Sequence, residues 1–411
     1  MRLSPFLTVV LIVVAIAIIV GVVLLVRRHR YVTSLTERGW TFEENPTLAS
    51  TYGLNAPPFG LGYDRRIDDV VSGTTNNGVP FRAFEYGTGD HYTVALTLPR
   101  TLPTAFITVP GEGRPGAQGV AQQFGAWQVV SDDPAFGSAL ASAALHVIDG
   151  VAASQPINLS VDGAHLVATG APKEAAELSA FLDNLGLVAA AVAQADLSAF
   201  PAPSVPAELS LYGHPDWVYR PQDDRFLSEV NHTTAGADHE AKDVVLAVLD
   251  GGMRMIGLTH HWTTTHAESS TDANGNTTTR TVTEHHSEPI IEVALPWHFG
   301  DLSLNWPWTG SKVPLESADF NEAYVVRSEF PKFATDVFHP RMMEFIQRSQ
   351  PVPFAITQGR LRFDSGSTEP AMMEWVARFT VAFFAGVPRF VWEDLGNAEA
   401  PINPELAGYR G

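Results

Sequence analysis

The sequence predicts an α+β protein, with an N-terminal transmembrane helix followed by two related domains, each a mainly antiparallel sheet covered by helices. Three observations predict it. The chain opens with an unbroken apolar run from Phe6 to Val26. Motifs recur at a nearly constant offset between its two halves. Within each half, short strands pair locally while helices stand apart.

In the apolar run, residues 6–26, Thr8 is the only polar side chain. As a helix this length spans about 31 Å, close to the hydrocarbon thickness of a bilayer. A cleaved signal peptide would have a shorter apolar region, with its bases ahead of it and small residues closing it. Here Arg27, Arg28 and Arg30 follow the run, and no Ala-x-Ala pattern ends it. Residues 1–30 therefore read as a retained anchor with a basic flank. Cytoplasmic flanks are enriched in Lys and Arg. Three arginines behind the run against Arg2 before it predict an external N-terminus and a cytoplasmic C-terminal body in the cell membrane.

The net charge of −19 is a +4 segment over residues 1–30 joined to a body of −23. So acidic a body argues against nucleic-acid binding, which needs basic side chains for phosphates. The 45% hydrophobic content argues against disorder. With no cysteine, disulfides, Cys-ligated zinc, Fe–S clusters and Cys nucleophiles are all excluded.

The repeat organises the body. The stretch from Phe124 to Phe136 reads like that from Phe320 to Phe333, and Pro156 to Gly163 like Pro353 to Gly359. Gly170 falls opposite Gly366, Glu177 opposite Glu374, and Leu98-Pro99 opposite Leu295-Pro296. Asp69-Val70-Val71 corresponds to Asp243-Val244-Val245. Offsets are 196–197 from Leu98 onward and 174 at Asp69, so the second copy is expected to carry a longer hairpin. The expected layout is a first repeat over 31–195, a Pro-rich linker over 196–215, a second repeat over 216–395 and a polar, frayed tail over 396–411.

In the first copy, the strand from Val79 to Tyr86 is expected to turn at residues 87–90 into an alternating strand from His91 to Leu98. Strands from Ala105 to Val109 and Trp127 to Val130 follow. A helix opens at Asp132-Asp133-Pro134, where acids and a proline suit the first turn. A second hairpin is expected to turn at Asp162-Gly163, and a closing helix to start at Pro172. Its apolar stripe comprises Ala176, Phe181, Leu182, Leu185 and Val188. Met373, Val376, Phe379, Val381 and Phe383 repeat that stripe in the second copy.

Motifs that carry chemistry are few. Gly111 to Gly116 matches G-x-G-x-x-G, but Pro115 spoils the helix start that a dinucleotide site requires, so a surface loop is the better reading. No Walker A, G-x-S-x-G or H-E-x-x-H motif is present, and neither a cofactor nor a catalytic residue is assigned.

Nine of the fourteen histidines lie between His214 and His298. With a type I′ turn at Asn274-Gly275, paired residue numbers sum to 549. Thr263 then faces His286, and Thr264 faces His285. His260, His266 and His285 would share one face, the candidate metal ligands. His261 and His286 would share the other. The plainer reading is a solvated ribbon using Thr, His and Ser, and it is preferred. Asp272-x-Asn274-x-Asn276 misplaces the glycine and distal Glu of a calcium loop. Trp297, Trp306 and Trp308 are candidates for a ligand or partner surface; the alternative of an inter-domain plug is favoured.

With its anchor, Gly39-Trp40 entry, Leu-Pro strand ends and Val-Val helix entries, the chain resembles a group of uncharacterised actinobacterial single-pass membrane proteins with a duplicated α+β domain. The resemblance covers most of the chain and implies no activity. The function expected from the residues is a membrane-anchored, non-catalytic binding or scaffolding protein. Its partners would be the lipid bilayer through residues 6–26 and a protein at the membrane, not nucleic acid. The alternative is a metal-dependent hydrolase using the His-rich hairpin.

Overall fold

A computed structural model describes residues 5–87, 92–111, 116–152, 158–271, 277–307, 310–397 and 399–407; for 5–12, 271 and 407 it describes the backbone alone. The chain forms two compact units, residues 1–215 and 216–411. Both mix helices with an antiparallel sheet.

The first unit begins with helix α1, Pro5–Thr36. Among the described residues, the helices long and apolar enough to cross a bilayer are α2, Pro134–Ala152, and α3, Ala175–Gln194. Both bury apolar stripes in the core of this unit. The described side chains of α1 begin at Val13, and only fourteen residues separate that point from Arg27. That described stretch is too short to span by itself.

Seven strands follow α1 among the described residues: β1 (Thr41–Glu43), β2 (Ile67–Thr74), β3 (Pro80–Tyr86), β4 (Tyr92–Thr108), β5 (Val120–Phe124), β6 (Trp127–Ser131) and β7 (Asn158–Ala171). They run β1-β2-β3-β4-β6-β5, with β7 also on β4. Helices α2 and α3 cover one face, where Phe136, Leu140, Leu182 and Leu185 meet Val94, Leu96 and Ile107. The other face carries a smaller cluster, in which Leu54 and Phe59 cover Val70, Phe84, Ala95 and Val167.

Helix α2 starts at Pro134 as expected, and Asp133 caps it by accepting from the Ala135 and Phe136 amides at 2.8 and 3.3 Å. The closing helix starts later than expected. Glu174 accepts from the Ala176 and Glu177 amides, so the first helical residue is Ala175 rather than Pro172, and Ala176 is exposed. The expected turn at Asp162-Gly163 is absent, because β7 is one strand whose two halves both pair with the long β4. The expected strands around Leu98 and Ala105 are likewise one strand. Residues 88–91, 112–115 and 153–157, which include the expected first turn and most of the glycine motif, lie outside the described residues.

The Pro-rich segment 196–215 lies against the first unit. Leu197, Leu209 and Leu211 are buried, Asn55 Nδ2 donates to the Leu211 carbonyl at 2.7 Å, and the Tyr212 amide donates to the Gly60 carbonyl at 3.0 Å.

The second unit is built from β8 (Val218–Gln222), β9 (Ala237–Leu249), β10 (Met253–Thr271), β11 (Thr277–Ala294), β12 (Leu302–Leu304), β13 (Ser311–Lys312), β14 (Val326–Ser328), β15 (Phe354–Thr357) and β16 (Arg360–Phe363). Their order is β13-β14-β12-β15-β16-β11-β10-β9-β8. Its helices are α4 (Ala318–Ala323), α5 (Pro331–Val337), α6 (Pro340–Ser349), α7 (Pro370–Ala385) and α8 (Arg389–Asp394). Helix α7 closes one sheet face, with Phe379 5.6 Å from Phe354 and 5.9 Å from Phe363 between ring centroids. Gly257 lets it approach, since a Cβ there would meet Met373 Sδ at 2.3 Å. On the other face Phe226, Leu227 and Val230 cover Ala241, Val244, Ile256, Leu258 and Ile290. The described part of the expected frayed tail packs, because Ile402 is buried and would touch a Cβ at Gly251.

Several features recur between the units. Asp69 and Asp243 both sit at β-bulges with positive φ, 49° and 53°. Buried Ser131 Oγ donates to the Thr104 carbonyl at 3.0 Å, and buried Ser328 Oγ to the Asp301 carbonyl at 2.8 Å.

Candidate functional site

The register of β10 on β11 decides which histidines meet. Trp262 faces His286, Thr263 faces His285 and His260 faces Glu288, and pairing runs to Thr271 opposite Thr277. These numbers sum to 548, one less than expected from the Asn-Gly signal. Residues 272–276, including the calcium-like motif, lie outside the described residues. Because side chains alternate, a one-residue slip exchanges faces. His260 and His266 therefore share a face with His286, while His285 lies on the opposite one. The proposed trio of His260, His266 and His285 does not assemble. His266 is exposed, 3.6 Å from Glu268 and 3.9 Å from Glu284. The outer ribbon, 265–270 against 277–281, is solvated as the plainer reading expected.

His260 instead meets two histidines from outside the hairpin. It is fully buried on β10 opposite Ala241 of β9. His239, two residues from Ala241, shares that face and stacks on His260 with ring centroids 5.1 Å apart and planes within 9°. His239 Nδ1 lies 2.9 Å from His260 Nε2. His232, on the coil before β9, packs edge-on at 4.8 Å. One nitrogen from each of the three lies within 4.8 Å of the others. The stack continues along the same face, since His260 lies on Trp262 at 4.7 Å and Trp262 on His286 at 5.2 Å.

The backbone explains why these rings converge. Gly236 has φ +102°, and a Cβ there would lie 2.3 Å from the Thr263 carbonyl oxygen and 2.9 Å from the Trp262 ring. Only glycine lets the coil pass so close to β10. Asp238 adopts φ 54° at a bulge, and its carboxylate accepts from Thr263 Oγ1 at 2.8 Å.

Below the rings, a polar cluster ties the coil to the sheet. Buried Glu292 accepts from the Asn231 amide at 3.0 Å and lies 3.5 Å from both Arg360 and Arg362. Arg362 also donates to the Asn231 carbonyl at 2.5 Å and to Glu288 at 2.7 Å, and Arg360 to the Glu229 carbonyl. Burial raises the Glu292 pKa, against the Asn231 bond and both guanidinium charges. Glu288 and Glu292 are thus both tied to the arginines and the coil.

Electrostatically the buried ring of His260 favours its neutral form. Burial pushes the His260 pKa down to about 4, helped by His232, His239 and His261. His232 Nδ1 lies 3.3 Å from the Val230 carbonyl, which orients that ring, and buried His260 Nδ1 has no hydrogen-bond partner. Neutral imidazoles with converging nitrogens are the donor set that late first-row transition ions prefer.

The aromatic candidates are used differently. Trp297 is half-buried and packs edge-on against Phe384 at 5.9 Å and Trp392 at 5.8 Å, inside the second unit. Trp306 is half-buried after β12, and Trp308 lies outside the described residues. Trp297 is therefore packed within the second unit, half-buried against Phe384 and Trp392.

His232 and His239 belong to the histidine-rich stretch between His214 and His298 but lie outside the β10–β11 hairpin. Strand β9 and its preceding coil supply both. The alternating pattern from His239 to Ala241 was the available signal.

No protein-family model matches the chain, and no curated protein matches it. Among solved structures it is similar to the crystal structure of the mycobacterial trehalose monomycolate transport factor A, TtfA. Identity is 15% and the TM-score 0.30, over 38% of this chain and 93% of that chain.

Proposed function

We propose that the chain is a single-pass, membrane-anchored, non-catalytic binding or scaffolding protein with its C-terminal body in the cytoplasm. The observation that carries this reading is the two-part character of α1. From Val13 to Val26 its large apolar side chains are exposed all round, with Ile18 at 61% and Leu25 at 70%. One turn later Arg28 pairs with Asp69, Tyr31 packs on the first core and Leu35 is fully buried in it. A helix apolar on every side suits hydrocarbon, whereas in water each buried Å² forgone costs about 25 cal/mol. With residues 6–12 the apolar run reaches spanning length.

The two units are copies of one fold in this reading. Its support is the recurrence of the Ser131–Thr104 bond as Ser328–Asp301, both at an offset of 197, and of the bulges at Asp69 and Asp243. The bonds of Glu288 to Arg362 and of Glu292 to the Asn231 amide, which fasten the coil to the sheet, fit a binding or scaffolding role.

Fractionation of cells expressing the full chain tests the anchor. The protein is expected to stay with membranes after an alkaline wash, and release into the wash would overturn the reading. A fluorescent reporter fused after Gly411 is expected to be bright, and a phosphatase fused there inactive. The reverse pair would place the body outside.

A further inference from the structure

We propose that His232, His239 and His260 form a binding site for one late first-row transition ion, zinc above all, which clamps the coil 231–236 to strands β9 and β10. The site goes beyond the anchoring role and uses two histidines from outside the β10–β11 hairpin.

Geometry carries the inference. Nitrogens bound to one zinc ion at about 2.0–2.1 Å in a tetrahedral arrangement lie roughly 3.3 Å apart. Here the three nitrogens fall within 4.8 Å, and the His239–His260 pair is at 2.9 Å. Binding one ion therefore asks the widest-set nitrogens to close by up to about 1.5 Å and the His239–His260 pair to open by about 0.4 Å. The 2.9 Å contact joins two imidazole nitrogens, so it needs a shared proton, and a cation bound by both lone pairs takes over that task. His260 is fully buried, so the nitrogens that converge on it are screened from water, where a metal–imidazole bond has the least competition.

Chemistry selects the ion. Three neutral nitrogens without a carboxylate are a poor cage for calcium or magnesium, which require oxygen. They suit zinc, copper or nickel. The Val230 carbonyl beside His232 Nδ1 is the kind of outer partner that orients a metal-bound histidine. Three protein ligands leave a coordination position for water or a small anion.

The surroundings point to a clamp. Gly236 brings the coil against β10, and Arg360, Arg362 and Glu292 fasten it at Glu229 and Asn231. His232 lies between these two fixed points. An ion there would join the coil to the sheet across the small cluster of Phe226, Leu227 and Val230.

The test uses the full chain in detergent micelles, purified through a tag without histidine and stripped with chelator. Titrated with Zn²⁺ alone, it is expected to take up about one ion per chain, with Tm rising by several degrees. Mg²⁺ and Ca²⁺ are expected to leave Tm unchanged. His232→Ala and His239→Ala are each expected to weaken binding about tenfold or more, while their metal-free circular dichroism matches that of the original chain. A His266→Ala/His285→Ala double variant is expected to bind normally. Absence of stoichiometric zinc, or uptake that survives loss of both His232 and His239, would overturn the proposal. Should either variant fail to fold, Co²⁺ in the unaltered chain decides. A visible band of a nitrogen-rich tetrahedral site is expected, and its absence is the overturning result.

Discussion

Arg28 grips Asp69 through two parallel N–H···O bonds of 3.0 and 2.9 Å, joining the end of the exposed apolar helix to the bulge in β2. The guanidinium also lies 4.6 Å above the Phe42 ring and 3.1 Å from Glu44. A forked pair of this kind fixes direction as well as distance.

Asp69→Asn isolates the charge, because asparagine tolerates the positive φ found there. Since Arg28 is partly exposed, the expected loss is small, about 0.5–1 kcal/mol, and shrinks in high salt. Denaturation midpoints at low and high salt check this. An equal loss in both would show that the charge pair is not its source.

Ser131→Ala and Ser328→Ala should each destabilise their own unit. Each removes the buried serine hydroxyl that donates to a half-buried carbonyl, that of Thr104 or Asp301, at a cost of about 1 kcal/mol. Hydrogen exchange is expected to quicken in β6 for the first variant and in β14 for the second. A change in the other unit's strand instead would contradict the assignment.

Gly60→Ala should be among the most damaging single changes. A Cβ there would lie 2.1 Å from the Asn55 carbonyl oxygen and 2.6 Å from the Tyr212 nitrogen. These are backbone atoms that cannot swing aside, so a loss above about 2 kcal/mol is expected. Limited proteolysis is expected to open the segment 196–215 in this variant. Cleavage indistinguishable from the original chain would refute the close approach.

Acid should weaken the first unit through His165. Burial holds its pKa down at about 4, aided by the Arg82 guanidinium, whose nitrogen is 3.0 Å from Nε2. Above pH 6.5 the ring is neutral in both folded and unfolded chains, and this contribution is complete. As pH falls from about 6.5 toward 4, the unfolded chain takes up the proton first, and stability declines by about 3 kcal/mol. Comparing unfolding midpoints at pH 7.5 and 5 for the original chain and His165→Gln checks it. The variant should show the shallower slope.

Much of the local structure was legible in the residues. Asp133-Pro134 marks the start of α2 because a carboxylate there satisfies free amides and proline needs no partner. Leu182, Leu185 and Val188 recur at helical spacing and are buried, as are Phe379 and Phe383. The α+β class followed from strands that pair with sequence neighbours, and both sheets are antiparallel.

Register and convergence were not legible. The Asn-Gly pair implied one alignment of β10 and β11, yet the ladder closes one residue away, at Thr271 opposite Thr277. Alternation along a strand specifies which residues share a face within it. Which face meets which across strands depends on where each ladder closes: the β10–β11 ladder runs unbroken from Arg254 opposite Ala294 to Thr271 opposite Thr277, and bulges in β9 at Asp243 and Asp238 set where His239 falls against His260. His285 consequently lies on the face opposite His260, and His232 and His239 come from segments that no pattern within the hairpin points to. The sequence alone determined the apolar run, the helix starts and the inward stripes, because each rests on contacts within a few residues. Pairing between distant segments brought three imidazoles from a coil and two strands to one point, through a glycine that lets backbones touch and arginines that hold the coil in place.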